Sequence, residues 1–369
     1  MSTDTRPPWA RTRVSERLGI TYPIIQGPLG GFSSQRLTAA VSNFGGLGSF
    51  GAHGLAPGAI KDVIGELRSM TDKPFAMNLW VSMEDLGARA SDEAAFNRGL
   101  DFLTPIIRSL GAKAPSYAPY APTSFEEQAR VLIDEGVPVF SFIYGVPPPE
   151  ILAECRSKGI VTIGTATTPE EAIELQSANV DLIVASGFEA GGHRGSFLRP
   201  AEDSLTGTLS LVPQVVDRVA APVVAAGGIA DARGIVAALA LGAEGVQIGT
   251  AFLACEESGA SAAHREALLG GRAGRTALTR GFTGRLARGI KNQLLDAMSA
   301  PEAHVLPYPL QRHLVRNVSG AAEKAGRPEL IAMWSGQSAN LTRHRQAEVF
   351  LATLISEVQV VADRLRSRP

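Results

Sequence analysis

The sequence predicts an α/β fold, a (β/α)8 TIM barrel with a smaller helical insertion subdomain, and three observations predict it. Eight short apolar runs bounded by glycine or proline recur between residues 23 and 249, the pattern of strands covered on both faces. Segments with helical periodicity separate most of them, so the strands run parallel. Glycine, amide and hydroxyl residues gather just after the runs, at the ends where a barrel of this kind collects its chemistry.

The strands are read, in order, at Pro23–Gln26, Gly45–Ser49, Phe75–Leu79, Val137–Phe142, Ile160–Gly164, Asp181–Ser186, Pro222–Gly227 and Gly245–Gly249. Helical patterns follow the first and second runs ("SQRLTAAVSNF", "APGAIKDVIGELRSM"), and "TSFEEQARVLIDEG" leads into the fourth. "PPPEILAECRSKG" places proline in a first turn, and "TTPEEAIELQSANV" offers a threonine N-cap, proline at N1 and glutamates behind it. "ADARGIVAALALGA" joins strands seven and eight, and the tail "SANLTRHRQAEVFLATLISEVQVVADRL" reads as a closing amphipathic helix.

Two intervals are too long for crossovers: residues 84–122, which include most of "SYAPYAPTS", and residues 254–330 with their Gly/Arg-rich punctuation. Long insertions in a compact fold tend to be covers or subdomains. The expected division is a barrel of residues 15–253 and 331–365 carrying a helical insertion or lid of residues 254–330.

At 369 residues and 45% hydrophobic content the chain can bury a large core. A net charge of −1 gives no ground for nucleic acid or an anionic membrane as partner. Cys155 and Cys255 stand far apart without metal-ligand spacing, so they read as reduced thiols and no metal is expected. The N-terminal stretch lacks a signal peptide's apolar region and no apolar run spans a bilayer, which points to a cytoplasmic protein. A monomer or homodimer acting on a small molecule is expected.

Among the strand ends, "AAGGIADARG" and "IGTAF" belong together, because backbone amides and a hydroxyl after strands seven and eight form the usual phosphate site of a barrel. "GLGSFG" (Gly46–Gly51) fits a dinucleotide fingerprint, but its first glycines form a strand and "GAHGLAP" separates it from any helix, so the match is set aside. Asn78 ends an otherwise apolar strand, where a carboxamide either caps a turn or bonds the edge of a heterocycle. In "SGFEAGGHRGSF", Gly191, Gly192 and Gly195 clear space around His193, whose neutral imidazole can take a proton from an acidic C–H or donate to an anion. Glu189 either orients that ring or pairs with a neighbouring arginine. The other five histidines read as surface or packing residues.

Together, "YPIIQGPLGG", Asn78, "IGTATTPEEA", "SGFEAGGHRGSF", "VVAAGGIAD", "GVQIGTAF" and "MWSGQS" resemble the nitronate monooxygenase (2-nitropropane dioxygenase) family over residues 15–355. The resemblance implies an FMN enzyme that oxidises alkyl nitronates with O2 to carbonyl compounds and nitrite. It places the catalytic base on His193. It places flavin contacts on Gln26, Gly27, Pro28, Asn78, Gly192, Gly227, Gly228, Gly249 and Thr250, and on the late segment that includes Ser335 and Gln337. It places a further flavin contact on Thr165 at the end of strand five, where some members carry a lysine, so the contact there is uncharged in this chain. The EAGGH loop also resembles flavin-dependent enoyl-ACP reductases, which implies NAD(P)H as the alternative electron source.

Overall fold

The computed structural model describes residues 6–82, 85, 88, 91–117 and 123–366. Its strands are β1 (Ile24–Gln26), β2 (Gly48–Gly51), β3 (Phe75–Trp80), β4 (Val139–Ile143), β5 (Val161–Ala166), β6 (Leu182–Ser186), the two-residue β7 (Gly192–His193), β8 (Val223–Ala226), β9 (Gly245–Ile248), β10 (Thr276–Thr279) and β11 (Ala287–Ile290). Eight of them form one parallel sheet in the order β1-β9-β8-β6-β5-β4-β3-β2. A parallel bridge between Ile25 and Leu47 joins its two edges. There the Gln26 N–H donates to Leu47 O and the Leu47 N–H to Ile24 O, each at 2.9 Å. The fold is the (β/α)8 barrel that the sequence predicts.

Alternation along the strands sorts side chains into two cores. Ile25, Ala76, Val161, Ile163, Leu182, Val184, Val224 and Ala226 meet inside the barrel, where Val14, Leu18 and Ile20 from the N-terminal segment plug its floor. Ile24, Met77, Leu79, Ile183, Ala185 and Ala225 point outward to the helices. The helices begin where the residues dictate: Ser34 and Thr168 accept from backbone N–H groups in the first turn, and Pro57, Pro149 and Pro169 occupy starting positions that lack a hydrogen-bonded N–H.

The second strand lies later than expected, at Gly48–Gly51 rather than Gly45–Ser49. Gly45 caps the preceding helix in a left-handed conformation (φ 105°). A Cβ on Gly48 would lie 1.9 Å from Thr38 O, so this glycine lets helix and strand pack. The glycines of "GLGSFG" are thus packing residues of the barrel. The closing helix runs from Ala347 to Arg366, starting later than the tail pattern, and packs on helices Gln35–Phe44 and Ala232–Ala240.

The two long intervals pack on each other. Helix Glu93–Ser109 and helix Leu310–Lys324 share a separate core of Phe96, Leu103, Ile107, Phe282, Leu310, Leu314 and Val318. Residues 254–330 contain strands as well as the expected helices, since β10 and β11 pair antiparallel and β11 pairs in turn with β7 of the His193 loop. Residues 118–122 of the Tyr/Pro-rich loop lie outside the described residues. Among the described residues no helix is long and apolar enough to cross a membrane.

Candidate active site

At the carboxyl ends of the barrel strands a cavity of about 200 Å³ opens beside a larger one of about 780 Å³. Gly30, Phe32, Trp80, His193 and Trp334 stand in the walls of both. Bare backbone forms much of the smaller cavity, with Gly27 after β1, Gly227 and Gly228 after β8, and Gly249 with Thr250 after β9. Gly227 (φ 102°) and Gly228 (φ 70°) are consecutive left-handed residues, and a Cβ on Gly227 would lie 2.8 Å from Gly187 O. A Cβ on Gly27 would lie 3.2 Å from Gly249 Cα, so the ends of β1 and β9 approach closely and a side chain there would crowd them. Gly192 (φ 78°) differs, because a Cβ there meets nothing within 4 Å; its bare backbone faces open space.

A late segment stitches this wall together. The Gly336 N–H donates to Thr250 Oγ1 at 2.9 Å, Ser338 Oγ to Gly228 O at 2.6 Å, and the Gln337 N–H to Glu189 O at 2.9 Å. The set of amides, glycines and hydroxyls has the polarity to hold an anionic group such as a phosphate.

His193 stands in β7, its Nε2 2.8 Å from Thr283 Oγ1. Its ring lies edge-on to Trp80 at 5.1 Å and tilted to Trp334 at 5.1 Å. Burial pushes the imidazole well below its usual range, and the charge of Arg285 adds to the shift, followed by His53 and Arg312. A neutral ring at neutral pH is a ring able to accept a proton. Two further histidines lie close by. His53 stacks flat on Trp80 (3.8 Å, 8°) and is pushed down to about 3 by burial and then by Arg312 and Arg285. His264 bonds Trp334 O at 2.8 Å, and burial takes it down to about 4 despite that bond.

These shifts set a stability prediction. Unfolded imidazoles protonate near pH 6.5, whereas the buried rings stay neutral to lower pH, so below pH 6.5 the unfolded chain binds more protons. Stability therefore falls as pH drops from about 6.5 toward 4, by about 1.4 kcal/mol per pH unit for each such histidine. Urea unfolding at about pH 7, 6 and 5 reads this directly. A midpoint constant over that range would mean that the rings are hydrated and titrate normally.

A family model described as nitronate monooxygenase matches residues 11–357. The chain belongs to the nitronate monooxygenase family. A protein of Staphylococcus aureus (strain Newman) named probable nitronate monooxygenase is 39% identical over 354 residues, 96% of this chain and 99% of that one. A solved nitroalkane oxidase from Streptomyces ansochromogenes superposes with a TM-score of 0.85 at 36% identity, over 95% of this chain and 99% of that one. FabK from Thermotoga maritima superposes with a TM-score of 0.74 at 29% identity, over 96% of this chain and 98% of that one. Membership in the nitronate monooxygenase family makes the protein an oxidoreductase acting on a small molecule.

Of the site residues expected from the sequence, Gly27, Pro28, Asn78, Gly192, His193, Gly227, Gly228, Gly249 and Thr250 share the wall of the smaller cavity. Asn78 is inward-facing on β3, its Nδ2 donating to Ser141 Oγ at 3.0 Å. Four others stand off that wall. Gln26 shares its parity with the outward-facing Ile24; its Nε2 donates to Ser49 O at 2.9 Å and its Oε1 accepts from Ser49 N at 3.0 Å, which fastens the barrel seam. Thr165 lies on β5 outside the cavity lining. Ser335 is fully buried and Gln337 exposed, while Gly336 between them reaches the wall.

Glu189 does not touch His193. Its carboxylate accepts from Thr208 N and Oγ1, each at 2.9 Å. Arg194 turns inward and donates to Ser204 O, Ser186 O and Thr167 O at 2.8, 2.6 and 3.3 Å. Trp80, Thr283, Trp334 and His53 were not singled out from sequence. Trp80 extends β3 one residue past its expected end, and His53 follows β2, so their places at strand ends were the available signal. Thr283 and Trp334 come from the insertion and the segment behind it, which no local periodicity ties to the barrel mouth.

Proposed function

We propose that the protein binds FMN in the glycine-walled cavity and oxidises alkyl nitronates, and nitroalkanes through them, with O2 to carbonyl compounds and nitrite. The observation that carries this reading is a neutral, half-buried His193 beside the open backbone of Gly192, in one wall with the glycine cradle. The cradle fits a mononucleotide: Gly227 and Gly228 on one side, with Gly249 and Thr250 on the other, would hold the phosphate. Asn78 and the Gly192 backbone would meet the ring system. Bound there, FMN would supply the redox chemistry between substrate and O2.

The protein's own groups do the rest. In the tautomer that donates Nε2–H to Thr283, the His193 lone pair sits on Nδ1, where it takes the α-proton of a nitroalkane. For a nitronate, which has lost that proton, the same neutral ring in its other tautomer accepts from Thr283 Oγ1 at Nε2 and donates Nδ1–H to the negative oxygens. Trp80 and Trp334 wall off water beside it. Residues 254–330 act as the cover over a barrel of residues 15–253 and 331–365, working in the cytoplasm as a monomer or homodimer.

The purified protein is expected to be yellow and to release FMN, not FAD, on denaturation. Gly228→Leu should weaken FMN retention, because the new side chain enters the cradle from a strained left-handed position and its Cβ alone comes 3.3 Å from Glu189 Cβ. Equal FMN affinity in that variant moves the phosphate elsewhere. The likeness to FabK supports a second reading, an NAD(P)H-dependent flavin reductase. Anaerobic mixing separates the two: ethylnitronate should reduce the flavin rapidly and NADH or NADPH slowly. The reverse order overturns the nitronate reading and leaves the flavin.

A further inference from the structure

Behind the aromatic wall of the reactive end stands a cation that lines neither cavity. Arg285 is 6% exposed, and the turn that carries it also carries Thr283, the residue that meets His193 Nε2. Thr283 Oγ1 lies 3.4 Å from both the amide nitrogen and the carbonyl oxygen of Arg285. The turn is tight: the Gly284 N–H donates to Arg280 O at 2.7 Å, and a Cβ on Gly284 (φ 98°) would lie 2.6 Å from Leu306 O. Arg285 is thus fixed relative to the imidazole.

The guanidinium is held from several sides. Its Nε donates to Asp85 at 2.7 Å, and its terminal nitrogens donate to Ser82 O at 3.0 Å and Ser82 Oγ at 3.3 Å. Its Cζ lies over the rings of Tyr144 at 4.1 Å, Tyr308 at 4.7 Å and Trp80 at 5.4 Å. Trp80 stands in turn 5.1 Å from the His193 ring. Tyr144 meets the cation from a left-handed backbone (φ 68°), a conformation that costs an aromatic residue free energy and gathers at functional sites. A buried ion pair adds little net stability, because desolvation offsets its attraction. The charge is felt at the reactive ring nonetheless: after burial, Arg285 acts on His193 more strongly than any other group, ahead of His53 and Arg312.

We propose that Arg285 is a specificity-determining residue that acts through the Trp80 wall, its fixed charge giving the His193 end a positive potential that takes an anionic nitronate in preference to the neutral nitroalkane. The inference rests on the preceding reading for the identity of that anion. Around the ring His53 and Tyr308 are neutral at pH 7, since burial brings the first down to about 3 and raises the second. Arg285 and Arg312 are then the cations that bear on this end, and Asp85, bonded to Arg285, opposes its field. Low-polarity side chains screen a charge less than water does. A unit charge about 10 Å away, across a medium of effective dielectric constant about 20, moves an ionisation by about one pH unit. That is about tenfold in the relative affinity of an anion and its neutral form.

4-Nitrophenol, whose neutral and anionic forms share one shape and differ in colour, tests this without turnover. Bound to the protein as purified, it should ionise about one pH unit higher in Arg285→Gln than in wild type. Asp85→Asn, which leaves the guanidinium without its counter-ion, should move the ionisation the opposite way. Arg285→Lys keeps the charge and loses the fork, so it should stay near wild type, whereas a purely structural role would be lost in both Arg285 variants. In turnover, Arg285→Gln should raise KM for ethylnitronate about tenfold and leave KM for nitroethane near wild type. An unmoved probe in a folded Arg285→Gln overturns the proposal. Should that variant fail to fold, Asp85→Asn decides alone, and an ionisation at or above the wild-type pH overturns it. A protein that acidifies the probe through Arg285 yet oxidises no nitronate keeps this role and loses the reaction proposed above. Equal KM for ethylnitronate in wild type and a folded Arg285→Gln keeps the reaction and loses the role.

Discussion

His193→Asn is expected to lower turnover of neutral nitroalkanes by about 10²–10⁴-fold, the usual worth of a positioned general base. The substitution keeps a polar side chain near Thr283 Oγ1, now 2.8 Å from Nε2, but removes the proton acceptor. Preformed nitronates have already lost the α-proton, so their oxidation should suffer much less. Oxygen uptake with nitroethane and with ethylnitronate, measured side by side, makes the comparison. Equal losses on both would assign His193 to binding the nitronate rather than to proton transfer. Because burial and then Arg285 hold the imidazole well below its usual range, the base stays deprotonated as pH falls. In the wild-type protein the acid limb of kcat/KM for nitroethane should therefore lie below the pH of an ordinary histidine. A limb near pH 6.5 would mean that the ring is solvated in the working protein.

Arg194→Met is expected to cost stability on the order of 3–5 kcal/mol, the range for exposing buried groups to loss of a charged partner. Arg194 is 5% exposed and its guanidinium serves carbonyls from three separate segments, at Thr167, Ser186 and Ser204. Glu171 and Glu189 favour its charge, and although burial brings its pKa down to about 10 it remains a cation at neutral pH. Methionine fills part of the volume and answers none of the carbonyls. Lysine should restore only part of the loss, since one ammonium cannot replace a planar fork reaching three acceptors. Thermal or urea unfolding of the three proteins gives the answer, and a Met variant within about 1 kcal/mol of wild type would contradict it.

All eight barrel strands were legible because each is a short apolar run whose neighbours are glycine, proline or a polar turn. Their ends were legible to within a few residues, and the shift of the second strand shows what limits that. Gly45 serves a helix cap and Gly48 a close approach to Thr38 O, two uses that composition alone does not distinguish. The glycines that line the smaller cavity, and Asn78 with them, were visible from their place after strands. The side chain of Gln26 stands off that wall, because one residue of parity decides whether a side chain faces the barrel mouth or the outer core. The partners of His193 were hidden for another reason. Thr283 lies 90 residues away and arrives through an antiparallel pairing between a loop and an insertion, with no local pattern to announce it.

That pairing also makes the reactive loop depend on a distant segment of the chain. The strand carrying His193 has no neighbour in the barrel; its ladder partners are Ala287 and Arg288 of β11. A nascent chain can close much of the parallel sheet once β9 is made, but the reactive loop gains its second edge only when the later segment emerges and docks. Activity therefore depends on the docking of β11, and loosening of that segment should cost activity before the barrel strands, which carry their own parallel ladder, give way.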